Sequence, residues 1–132
     1  MTDENSTIDE LLELNQRLLE GILAGDWETY AALCDPTISA FEPEARGELV
    51  EGIEFHQFYF NLGGTSGPHN TTMASPHVRL LGDDAAVVCY VRLVQRAVQL
   101  GRPSTSRCEE TRVWQRIGGA WRHVHFHRSM NQ

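Results

Sequence analysis

Apolar side chains at Ile8, Leu11, Leu12, Leu18, Leu19, Ile22 and Leu23 recur at helical spacing and predict one amphipathic helix over residues 8–24. Thr7 with Glu10 three positions on reads as a capping box, and Gly25 as the C-terminal stop. Residues 1–7 are then a frayed or disordered N-terminus, and 8–130 a single domain. Asp26 caps a short second helix with Trp27, Tyr30, Ala31 and Leu33 turned inward; it ends before Asp35-Pro36, because the residue before a proline avoids helical angles.

The period then shortens. Residues 37–42 read as a strand, 52–62 as an aromatic helix through Phe55, Phe58, Tyr59 and Leu62, and 63–70 as a glycine-rich loop. Strands follow over 71–81, 85–98, 105–117 and 120–128, with a turn at Gly82-Asp83-Asp84 and a hairpin signal at Gly118-Gly119. Helices first and a long antiparallel meander last predict an α+β cone, with N-terminal helices packed on a strongly curved antiparallel sheet around a cavity.

Composition narrows the function classes. The 132 residues fit one domain, and a net charge of −7 argues against nucleic acid and anionic membranes as partners. The polar, acidic start is unlike a leader peptide, and no stretch is long enough for a membrane span, so the expected location is the cytoplasm. Cys34, Cys89 and Cys108 are an odd, widely spaced set, which predicts reduced thiols, with Cys34 and Cys89 in the core. Residues 1–60 hold fourteen of the eighteen acids, whereas 61–132 hold nine of the eleven arginines. That asymmetry suggests an acidic helical layer against an arginine-bearing sheet.

Arg92, Arg112 and Arg128 each interrupt an apolar strand, in YVRLV, ETRVW and HFHRS. A guanidinium stays charged and is costly to bury unpaired. The three either converge on the cavity as a bidentate site for a carboxylate or another small anion, or pair with Glu109, Glu110 or a helical acid. Register decides: a two-residue Gly118-Gly119 loop sets Arg112 opposite His125 and turns Arg128 to the other face, while a three-residue loop or a bulge puts the two arginines on one face.

His123, His125 and His127 alternate, so all three are expected on one strand face. No carboxylate or cysteine joins them there, so no metal site and no cofactor are expected. His56, set among aromatics, suits a hydrogen-bonded core or cavity position, or a cavity acid/base. Glu42 and Glu44 read as solvated carboxylates at a strand end, and no phosphate loop, nucleophile elbow or HExxH is present, so no catalytic residue is assigned.

Through FEPEARGELVEGIEFHQFYF, PHVRLLGDDAAVVCYVRL, EETRVWQR and GAWRHVHFHRS, the chain resembles the association (hub) domain of calcium/calmodulin-dependent protein kinase type II, over roughly residues 8–129. That family belongs to the nuclear-transport-factor-two-like superfamily, cystatin-like in fold, which includes SnoaL-like and ketosteroid-isomerase-like members. The resemblance implies self-assembly into dimers and rings of dimers. It also implies a small-carboxylate pocket lined by Tyr30, His56, Arg92, Arg112 and Arg128. Kinase activity and calmodulin binding are not expected to carry over, since no such segments precede residue 8. Arg46 and His123 stand where the resemblance implies an apolar and an amide side chain. The alternative to a scaffold is a small isomerase, cyclase or hydrolase acting on an acid in the same pocket.

Overall fold

A computed structural model describes residues 3–99 and 101–131. Helix α1 runs Glu4–Ala24 and starts earlier than its apolar stripe, because Asp3, not Thr7, caps it by accepting from the Asn5 N–H. Residues 4–7, expected to be frayed, are helical, and Thr7 is buried within the first turns. Gly25, at φ 71°, ends the helix in the left-handed conformation expected of it. Helix α2 (Trp27–Leu33) starts at the Asp26 cap. Arg122 then donates to the Ala32 and Cys34 carbonyls, satisfying the exposed end of α2.

Strand β1 (Cys34–Phe41) is followed by a 3-10 turn (Pro43–Ala45), a two-residue β2 (Val50–Glu51) and α3 (Glu54–Phe60). Four long strands complete the chain: β3 (His69–Leu80), β4 (Ala85–Gln99), β5 (Arg102–Ile117) and β6 (Ala120–Arg128). The six-stranded sheet has the order β2-β1-β6-β5-β4-β3. It is antiparallel except where β1 lies parallel to β6. β3 is an edge strand, which is why it tolerates Pro76 in a bulge beside Ser75 (φ 52°).

Leu11, Leu18 and Leu19 of α1 and Tyr30 of α2 meet Ile38, Val88, Trp114 and Phe126 of the sheet in one core cluster. Trp114 also donates to Asn15 of α1 at 2.9 Å, a buried pair that locks helix to sheet. The stripe read into α3 forms no comparable core face: His56 is its buried residue, while Phe58 is 60% and Leu62 69% exposed. Cys34 and Cys108 are buried, but Cys89 lies half-exposed on the opposite, helix-free face, not in the core.

Ile117 pairs with Ala120, so the last hairpin has a two-residue loop, with Gly118 and Gly119 at φ 61° and 84° as a type I′ turn requires. Four residues on, Trp114 pairs with His123 but Val113 with His125, leaving Val124 as a bulged extra residue. The two-residue loop and a bulge therefore occur together, and the bulge overrides the register that the loop alone would set. The bulge sets Arg112 opposite Phe126 and Arg128 opposite Glu110, all on the inner face. It also splits the histidines: His123 is buried inside, whereas His125 and His127 face outward, so the three do not share a face.

Candidate functional site

A cavity of about 370 Å³ opens between the helices and the inner face of the sheet, within the size range of small-molecule sites. Tyr30, His56, Arg92, Arg112 and Arg128 all line it. One wall is the glycine loop, where Gly64 lies so close to α1 that an added Cβ would stand 2.2 Å from the Ala24 carbonyl oxygen. Thr65 donates to the Leu23 carbonyl to hold that contact.

The inner strand arginines do not stand bare. Glu110, on β5 between them, is 2% exposed and takes both: Arg92 at 3.4 Å and Arg112 at 3.1 Å. Tyr90 donates to the same carboxylate at 2.5 Å. Arg92 also donates to Thr71. Burial pushes the Glu110 carboxyl up, but Arg112, then Arg92 and the Tyr90 hydroxyl, outweigh it and hold it below the usual carboxylate range. For Arg112 burial opposes the charge, and Glu110 more than restores it, so the guanidinium stays charged. The pairing alternative raised for these arginines therefore holds for Glu110, and the convergence on one cavity holds as well.

Every nitrogen of Arg112 has a protein partner: Nε the Tyr90 hydroxyl, Nη2 Glu110, and Nη1 the His123 Nε2 at 3.4 Å. Its plane also covers Phe126 at 4.4 Å. Arg128 pairs with Glu44 at the rim, where Glu44 is 36% exposed. Glu42 turns inward beside His56 and does not extend into solvent. The reading of both as solvated is corrected for Glu42, which the turn after β1 folds into the cavity wall, while Glu44 lines the cavity but stays exposed.

The His56 ring is 6% exposed and lies against Tyr30, Phe55 and Phe126. Glu42 Oε1 is 3.4 Å from Nε2, within ion-pair reach but not aligned for a hydrogen bond, and neither ring nitrogen has a hydrogen-bond partner. A buried imidazole without a partner is unusual in a finished core. Tyr30 remains a neutral phenol, its pKa raised chiefly by burial and then by neighbouring Cys34.

Glu110, Glu42 and Arg96 were not assigned to the site from sequence. Glu110 was visible as a strand residue of the same parity as Arg112, and Arg96 as one of the same parity as Arg92. Glu42 had no such signal.

The family model for the calcium/calmodulin dependent protein kinase II association domain matches residues 7–132. The chain is 47% identical over 129 residues to the calcium/calmodulin-dependent protein kinase type II subunit delta of Oryctolagus cuniculus, covering 96% of this chain and 24% of that relative. The chain thus spans about a quarter of the length of that curated relative. A solved calcium/calmodulin-dependent protein kinase II hub homology domain from Chlamydomonas reinhardtii is 50% identical with a TM-score of 0.87, covering 94% of this chain and 98% of its own. A nuclear transport factor 2-like protein from Salmonella enterica is 25% identical, with a TM-score of 0.75 over 95% of this chain and 92% of its own.

Proposed function

The chain belongs to the calcium/calmodulin-dependent protein kinase II association domain family, and from that premise we propose that it acts as a homo-oligomeric scaffold whose cavity holds a small carboxylate. The observation that carries the assembly is the outer face of the sheet. Val87, Cys89, Val91 and Leu93 of β4 and Val113 of β5 point away from the core cluster and are half-exposed, with no described helix over them. A second copy supplies the cover that an apolar sheet face needs. Arg92, Arg128 and the unpartnered His56 supply the groups that receive the anion. The cytoplasm suits the three free thiols, and no helix of the described residues is long and apolar enough to cross a membrane. Kinase chemistry and calmodulin binding lie outside this proposal.

Native mass spectrometry of the purified chain is expected to give dimers or multiples of dimers. A monomer at micromolar concentration overturns the scaffold reading.

One observation favours a second reading. The buried His56 ring lines the cavity with the Glu42 carboxylate 3.4 Å from Nε2 and no hydrogen bond on either ring nitrogen, which leaves the imidazole free to act as a general base. Turnover of a small acid that is lost in His56→Ala would replace binding by chemistry. Turnover that survives that substitution removes His56 from the role.

A further inference from the structure

Besides the three strand arginines the cavity lining holds two more, Arg107, which is paired with Glu109, and Arg96. Arg96 lies four residues beyond Arg92 on β4, so it shares the inward face of Arg92 and Val94, and it lines the same cavity. No carboxylate among the described residues pairs with it. Along β5 its partner is Ser104, whereas Arg128 is registered with Glu110. That stretch of strand spans about 20 Å, which sets Arg96 and Arg128 toward opposite ends of the cavity.

Charge then selects the ligand. Arg92, Arg96, Arg112 and Arg128 face inward, against the carboxylates of Glu110, Glu42 and Glu44. Glu110 is fully enclosed and stays with Arg92 and Arg112. Glu44 is different: its carboxylate is 36% exposed, and so open an ion pair with Arg128 is weakly held. An incoming carboxylate can take its place while Glu44 turns to water. Two guanidiniums, Arg128 and Arg96, are then unmatched at separate ends of the cavity.

We infer that the pocket takes an extended dicarboxylic acid, one carboxylate on Arg128 and Arg92 beside the His56 ring and the other on Arg96. This inference rests on the anion-pocket reading above and adds its second end. Arg96 is the residue that makes a diacid preferable to a monoacid of the same length.

The test is titration calorimetry of the full chain with straight-chain dicarboxylates from succinate to suberate, each against the monocarboxylate of equal length. The longer diacids are expected to bind about tenfold tighter than their matched monoacids, as one added charge-assisted pair predicts. Arg96→Gln is expected to erase that preference, weakening diacid binding about tenfold more than monoacid binding, and Arg96→Lys to keep most of it. Equal binding of diacid and monoacid by the unsubstituted chain overturns the inference and leaves the pocket standing. So does a diacid preference that persists in Arg96→Gln. No binding of either acid overturns the anion pocket and this inference together.

Discussion

Replacing Glu110 by glutamine is expected to destabilise the folded protein by about 3–5 kcal/mol, the cost of stripping the carboxylate from a buried ion pair. Glu110 is the shared acceptor for Arg92, Arg112 and Tyr90, and its side chain is fully enclosed. The amide that replaces it keeps the shape but loses the charge. Arg112 is 1% exposed and cannot reach water to compensate. It also cannot shed its proton, since guanidinium stays charged at any working pH. Urea unfolding at fixed protein concentration reads the loss, the concentration being held because assembly contributes to apparent stability. A loss under about 1 kcal/mol would mean that water enters the cavity and screens the pair. Glu110→Gln combined with Arg92→Met should recover part of the loss, because one of the two stranded charges is then removed.

The second large effect is a pH dependence built on His123. Its pKa is held well below the ordinary histidine value of 6.5, first by complete burial and then by the Arg112 guanidinium. Arg112 can only donate, so Nε2 of the ring accepts and the proton sits on Nδ1, 3.3 Å from the Cys34 sulfur. Cys34, its thiol pushed up to about 12 mainly by burial, stays protonated beside it. Linkage gives the sign. Below pH 6.5 the unfolded chain takes up a proton at this position that the folded chain refuses. Stability is full above that pH and falls below it, by at most about 1.4 kcal/mol per unit. His125, less buried, adds a smaller share of the same sign. Glu110 contributes only lower down, below its ordinary 4.5, as pH falls through its depressed folded value. His123→Gln, which restores the amide that the family resemblance implies, should flatten most of the slope in thermal denaturation between pH 6.5 and 5. An unchanged slope would place the titration elsewhere.

Much of the chain is legible residue by residue. The α1 stripe, the Gly25 stop, the Asp26 cap and the Gly118-Gly119 turn are local events, governed by side-chain periodicity and by backbone angles that few residues accept. The same locality misplaced the first cap: Asp3 and Thr7 are both chemically fit to cap, and the residues next in the chain do not rank the two. In α3 the aromatic spacing is helical, but spacing alone does not tell a core face from a surface one, and Phe58 and Leu62 lie outside.

The arginine-lined cavity is where sequence and structure divide most clearly. Sequence alone determined that three guanidiniums interrupt apolar strands and must be paired or solvated, because a buried unpaired charge is prohibitive. It also determined the parity that places Arg96 with Arg92 and Glu110 with Arg112 on their strands. Only the tertiary structure decided that Val124 bulges, and with that one residue whether Arg128 joins Arg112, and His123 leaves His125 and His127. It alone brought Glu42 and Glu44 from a strand end to the cavity wall, more than eighty positions from Arg128. The reason is physical. Side-chain parity is a property of one strand, whereas a bulge or a pairing across the sheet is settled by which register buries the most surface with the fewest unpaired charges, a comparison made by the whole chain at once.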